Sequence, residues 1–281
     1  MNTFVATLRY EFRMQVRKRA VWLVPGLTVL VLLLIGSSLL RDLFDPVEGR
    51  TEAKAAIVGL GIQLNALLPI VYGCLLADRL VRDDRLRVAP ILDSTPAGQW
   101  PRLLGKYVGA AAATALPILV VYAGLTVAYG VHRSSWASLG WMSLTVVLVM
   151  VPGWLLVAAF ALTVPLTMPP PLFRVLFVGY WVWGNLVPPK LMPTIAQSVI
   201  QPVGGYAINT LLGFHGYSGD EATLSGPEPG AALNVLRPEA TAATGWLSIA
   251  ILLALAAAAL AWGQALRTRR ADGLSPLGRA R

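Results

Sequence analysis

Charge is what this chain has least of. Of its 281 residues, 13% are charged and 56% are hydrophobic. A soluble domain averages about 25% charged residues, so a surface this sparsely charged faces something other than water. Cysteine is nearly missing too. Cys74 is the only one and lies in an apolar run, which excludes an intramolecular disulfide scaffold. The only histidines, His132 and His215, stand alone, without H-E-x-x-H spacing. No G-x-S-x-G elbow and no Walker-type phosphate loop occurs, so the chain itself reads as no enzyme and carries no cofactor motif.

What the chain has is long apolar runs. Crossing a hydrocarbon core of about 30 Å takes roughly 20 apolar residues in a helix. Residues 21–40, 57–77, 107–129, 139–163 and 245–266 qualify. Residues 172–187 are shorter and carry Arg174 near one end, and they make a sixth span. The expected fold is therefore an all-α membrane protein, a single six-helix transmembrane bundle over 1–281. Trp22, Trp136, Trp141, Trp246 and Trp262 fall near span ends, as an interfacial belt requires, whereas Trp154 and Trp181 sit deeper.

The net charge of +9 raises the question of nucleic acid, and its placement answers it. One set of segments holds Arg9, Arg13, Arg17, Lys18 and Arg19, then Arg79, Arg82, Arg85, Arg87, Arg102 and Lys106, then Arg174, then the arginines of the tail 267–281. The other set holds Arg41, Arg50, Lys54, Arg133, Lys190 and Arg237 beside most of the carboxylates. Cytoplasmic loops carry the excess of Lys and Arg, so both termini are expected in the cytoplasm and the protein in the cell membrane. The basicity reports topology, with membrane lipid as partner and no nucleic acid.

Two flanking segments have their own patterns. In 1–20, Phe4, Leu8, Phe12 and Val16 share one helical face while Arg9, Arg13 and Arg17 form another. An amphipathic helix of this kind lies in the interface as an elbow before the first span. In the external segment 188–244, residues 191–213 are moderately apolar but hold Pro193, Gln197, Gln201, Pro202, Gly204, Gly205 and Asn209. A span there would put the arginine-rich tail outside, so an external or re-entrant helical hairpin shielded by protein fits better.

Inside the confident spans there is no Asp, Glu, Lys, Arg or His. Proton-coupled carriers rely on such groups, which argues against a proton antiporter, although backbone carbonyls alone can form a sodium site. The most polar buried candidates are Gln63 and Asn65 in the second span and Asn185 late in the fifth. They either line a substrate path or serve as interhelical hydrogen-bond partners.

The loop 78–106 is the most informative stretch, read from Leu76 as LADRLVRDDRLRVAPILDSTPAGQWPRLLGK. Asp78 with Arg82, and Arg79 with Asp83, are opposite charges four apart, so the second span is expected to continue as a helix beyond the membrane. Pro90 bends the chain, Ser94-Thr95-Pro96 offers a new helix start, and Trp100-Pro101 opens the third span. Leu86, Val88, Ile91 and Leu92 are apolar residues rimmed by arginines, the mark of a docking surface.

Those residues resemble the first large cytoplasmic loop of ABC-2 type transporter permeases. The matching elements are Asp83-Asp84-Arg85, Leu92, Ser94-Thr95-Pro96 and Leu104-Gly105-Lys106. The double Asp83-Asp84 and Pro90 depart from the commonest pattern of that family, and the likeness in sequence covers about thirty residues. The resemblance implies a second permease subunit, identical or related, and an ATP-binding cassette ATPase subunit docked on each. Contact would fall on Arg85, Leu86, Val88, Ile91, Leu92 and Thr95, with ATP and Mg on the partner. It further implies export of a hydrophobic or amphipathic compound, whether drug, peptide or lipid-like. The alternatives are an autonomous secondary carrier and a membrane-embedded enzyme or assembly factor without an ATPase partner.

Overall fold

The structure is a computed structural model that describes residues 3–34, 52–85, 98–215 and 224–271. Among them all regular structure is helical, with no strand. The principal elements are α1 (Thr3–Val16), α2 (Arg19–Leu34), α3 (Ala53–Leu76), α4 (Arg79–Arg85) and α5 (Gln99–His132). They are followed by α6 (Ala137–Thr145), α7 (Val151–Thr163), α8 (Pro170–Trp181) and α9 (Ala242–Ala271).

Four continuous rods are long and apolar enough to cross a membrane: Ala53–Arg82, Gln99–His132, Ala137–Leu166 and Ala242–Arg269. The chain is a multi-pass α-helical membrane protein. These rods contain the expected spans 57–77, 107–129, 139–163 and 245–266 and extend past them. The expected span 21–40 is described only as far as Leu34, and the expected span 172–187 is α8 with one wide turn that ends at Leu186.

α3 is the central element. Ile57, Leu60, Leu64, Leu68 and Leu76 are all wholly or almost wholly buried. Lipid tails are as apolar as leucine, so helices in a bilayer associate through close packing and hydrogen bonds rather than through hydrophobicity. Aromatic side chains do the bonding here. Tyr122 on α5 donates to the Ile57 carbonyl at 2.7 Å, Trp181 on α8 donates to Ala66 at 2.7 Å, and Tyr107 donates to Leu155 on α7 at 2.9 Å. Trp22, Trp136, Trp246 and Trp262 face outward and Trp154 and Trp181 are buried, whereas Trp141 is half-buried against the core.

The two ends of the bundle differ in charge. At one end α1, the α3–α4 junction, the start of α5, the start of α8 and the last turns of α9 meet. They are joined by Glu11 with Arg79, by Asp78 with Arg174, and by Gln264 with Gln99 at 2.5 Å. At the other end Lys54 donates to the Gly213 carbonyl at 2.8 Å and lies 5.3 Å over the Trp141 ring. The helix ends at His132 and Ala137 belong to that side.

The segment between α8 and α9 corrects an expectation. A helical hairpin at 191–213 is not what forms; most of the segment is irregular, with one wide helical turn at Ala207–Leu211. Its many prolines, glycines and polar residues favour turns over a regular ladder. It nevertheless goes deep. The Val203 carbonyl accepts from Asn65 Nδ2 at 3.2 Å, and Asn65 lies roughly 18 Å along α3 from its first residue at about 1.5 Å per residue.

Irregular backbone at that depth survives only where protein satisfies its polar groups. Ser248 on α9 donates to Val199 at 2.7 Å, and Arg237, 1% exposed, donates to Ala196 at 3.0 Å and Thr194 at 2.5 Å. The segment is thus a plug held by side chains from α3, from α9 and from its own return strand of chain.

Candidate functional site

α1 packs alongside the start of α5, the contact moving from Phe4 and Thr7 at Gly105 to Leu8 and Glu11 at Gly109, and glycine makes the approach possible. A Cβ at Gly105 would fall 2.8 Å from Thr7 and 2.9 Å from the Phe4 carbonyl, and one at Gly109 would fall 2.8 Å from the Leu8 carbonyl. The pair is a small-xxx-small motif, and it lets one backbone rest on another.

The close approach changes which face of α1 is inside. Phe4, Leu8, Phe12 and Val16 are only half-buried, while Glu11 and Gln15 are the most buried residues of the helix. Arg9, Arg13 and Arg17 stay exposed, as expected from the sequence, together with Tyr10. The reason for the inversion is a charge on the other wall. Arg79, the first residue of α4, donates to Glu11 Oε1 through Nε at 2.8 Å and through Nη2 at 2.5 Å. Gln15 donates to the same oxygen at 3.2 Å, and Met14 Sδ lies 3.6 Å from the guanidinium.

Lys18, just beyond α1, has its amine pKa pulled below the ordinary lysine value, by burial first and by the neighbouring Arg79 second. Across the junction, Asp78 meets the Arg174 guanidinium of α8, which also donates to the Cys74 carbonyl at 3.2 Å. Asp78 and Arg79 therefore reach to other elements, and the turn at 77–78 becomes a charged joint between α1, α3, α4 and α8. The Asp78–Arg82 spacing predicts a helix that continues past the second span, and it does, the Arg82 N–H donating to the Asp78 carbonyl at 2.9 Å. The carboxylate is turned toward α8 because Arg174 is presented there.

The loop that begins at this joint returns at Gln99. Arg85 is the last residue of α4. Its side chain lies outside the described residues, as do Leu86, Val88, Ile91, Leu92 and Thr95. On return, Gly98 caps α5 and Pro101 sits in its first turn, as the Trp100-Pro101 signal requires. Both roots of the loop thus touch α1: the outgoing one through Arg79, the returning one through Gly105 and Gly109.

The polar residues singled out from the sequence are spread along the bundle. Asn65 holds the plug, and Asn185 donates to the Trp181 carbonyl of its own helix at 3.1 Å. Trp181 in turn reaches α3 at Ala66, next to Asn65. Asn65 is an inter-element hydrogen-bond partner, one of the two roles open to it from sequence. The side-chain oxygens of Gln63, Asn65 and Asn185 are buried and have no partner among the described residues.

Among the described residues, no group of three His, Cys, Asp or Glu side chains comes together as a metal site requires. No protein-family model matches the chain, and no curated protein matches it in sequence.

Proposed function

We propose that the chain is the membrane-spanning permease subunit of an ATP-driven ABC-2 type transporter. The observation that carries this reading is the loop with both roots fastened to one helix, α1. In such a permease the loop between the second and third spans docks the ATP-binding subunit. A push on it would reach α3 through Arg79 and α5 through Gly105 and Gly109, with α1 bridging the two. The exposed face of Arg9, Tyr10, Arg13 and Arg17 suits a helix lying on anionic headgroups.

In the full arrangement the chain has six spans in the cell membrane, with both termini in the cytoplasm on the arginine-rich end. Two such subunits, identical or related, each engage one ATPase through Arg85, Leu86, Val88, Ile91, Leu92 and Thr95. A hydrophobic or amphipathic compound is exported. The unpartnered oxygens of Gln63, Asn65 and Asn185 support a polar lining for its path. A buried acceptor without a donor costs about 1–3 kcal/mol, which water or a passing cargo relieves.

The test is co-purification from native cells in mild detergent. The wild-type chain should bring a near-stoichiometric ATP-binding subunit, and Leu92→Asp should release it while leaving the permease inserted. Equal retention by the variant would overturn the docking assignment. An intact, monodisperse wild-type protein free of any ATPase would point instead to an autonomous carrier or membrane enzyme.

A further inference from the structure

On the flank formed by α7, α8 and α9 lies a cavity of about 300 Å³. Its wall includes Leu156 and Phe160 of α7, Phe177 and Trp181 of α8, and Leu255 of α9, and no charged side chain lines it. Ile200 and Pro202 of the plug also form part of it. The Trp181 indole N–H is already spent on the Ala66 carbonyl. From this we infer that the cavity is a binding site for one hydrocarbon chain of a membrane phospholipid.

Length is the first argument. The cavity runs along α7 from Leu156 to Val164 and along α8 from Phe173 to Trp181. Each stretch is roughly 12 Å at 1.5 Å per residue. One leaflet is about half of a 30 Å core, so the cavity matches a single leaflet and ends at the plug.

Width is the second. A helix with its side chains is about 10 Å across, and 12 Å of it fills on the order of 900 Å³, three times the space here. A helix of a second copy does not fit, whereas a single alkyl chain does. A buried water needs about two to four polar partners, and the side chains of this wall offer only the Tyr180 hydroxyl, while an empty cavity forfeits the dispersion contacts of its wall.

Access is the third. Leu176 at 52% exposed, Tyr180 at 41%, Phe160 at 39% and Leu255 at 38% form an open mouth on the outer side of the bundle, where the bilayer lies. This site does not depend on the transport reading.

Trp181 supplies the reporter, because it lines the cavity yet is 0% exposed and so shielded from bulk lipid. The full chain is reconstituted in dioleoylphosphatidylcholine vesicles and in vesicles of the same lipid dibrominated at mid-chain. Tryptophan quenching by bromine is then compared among wild type, Trp181→Phe, and a rim-filled variant Leu176→Phe/Leu255→Phe, which adds no tryptophan. Beyond the background set by the outward-facing Trp22, Trp136, Trp246 and Trp262, which all variants share, wild type should show a further quenched component of roughly one part in nine of the emission, since Trp181 is one of 9 tryptophans. That component should vanish in both variants, with helical content unchanged in the rim-filled one. Quenching of the rim-filled variant equal to wild type would overturn the site, as would a Trp181→Phe variant that loses none of the wild-type quenched emission above the shared background. A Leu176→Cys change in a Cys74→Ala background separates the other occupant: rapid disulfide-linked dimers would place a second copy on the mouth and overturn it, and monomers uphold it.

Discussion

Replacing Glu11 with Gln keeps the shape of the side chain and removes the charge that Arg79 is buried against. The exposure of the two side chains is 4% for Glu11 and 10% for Arg79, and both guanidinium bonds converge on a single oxygen. At about 3 Å and an effective dielectric constant near 20, the attraction is worth roughly 5 kcal/mol, most of it offset by the desolvation of both ions. The net gain from forming the pair is therefore small. Breaking it is another matter, because the surviving charge stays buried without a counterion, at a cost of about 3–5 kcal/mol.

The half-buried Lys18 adds like charge beside Arg79, which places Glu11→Gln toward the upper part of that range. Arg79→Met leaves the carboxylate to Lys18 and Gln15 and belongs lower, near 3 kcal/mol. The double variant restores neutrality and should cost no more than the milder single one, leaving a coupling energy of about 4–5 kcal/mol, as large as the harsher single loss. For a chain of this size 1 kcal/mol moves the apparent Tm by about 2–4 °C, so Arg79→Met should lower it by roughly 6–12 °C and Glu11→Gln by roughly 8–20 °C. Tryptophan emission in a thermal ramp measures this in mild detergent. The comparison is repeated at high salt, which screens a buried pair only weakly. Additive losses in the double variant, or single losses under about 1 °C, would refute the argument that α1 is latched by this pair.

Arg237→Met should expose the dependence of the plug on one side chain. It strands the carbonyls of Thr194 and Ala196, costs about 2–4 kcal/mol, and should speed hydrogen exchange across 194–203. Arg237→Lys should recover only part of the loss, because an ammonium does not span both oxygens as a guanidinium does. The lowered pKa of Lys18 fixes a sign. The folded state favours the neutral amine, so the penalty for the charged form is complete at neutral pH. It fades as pH rises through the lowered folded pKa toward the ordinary 10.5. The apparent Tm of wild type should accordingly gain on that of Lys18→Gln over the alkaline range, and a constant difference would sink the assignment.

The rods were legible because membrane helices announce themselves by length: each of the four spans that qualify here was an uninterrupted apolar run. The arginine-rich end was legible for the same reason, since charge and apolarity alternate along the chain. The latch was not read, though its parts were in view. Glu11 is the lone acid in an otherwise basic leader, and it sits off the Arg9–Arg13–Arg17 face. Gly105 and Gly109 carry the spacing of a close helix contact.

Helical periodicity gave the apolar face of α1 as the buried one. That reading took lipid as the partner, and the structure adds a protein partner it did not foresee, the bare backbone of α5 with Arg79 beside it. The plug was out of reach by any local rule. Nothing near Asn65 in sequence says that its amide will find the Val203 carbonyl, and nothing near Arg237 announces Thr194 and Ala196. Those pairings exist only once the bundle has closed.

Three wide helical turns meet around that plug: Val146–Met150 between α6 and α7, Val182–Leu186 after α8, and Ala207–Leu211 in the plug itself. Each closes a bond to the fifth residue back, from Val151 to Val146, from Val187 to Val182 and from Leu212 to Ala207. Val149 of the first lies against Gly204, and Gly184 of the second lies against Ile195. Each such turn holds one residue more than an α-helix would use over the same rise. Deleting a residue inside a membrane helix ordinarily rotates everything beyond it by about 100°. At Val146–Met150, which lies inside the rod Ala137–Leu166, the turn can absorb the loss by tightening to α, with the far half of the rod left in phase. The wall around the plug is therefore where this bundle can change length without changing its faces.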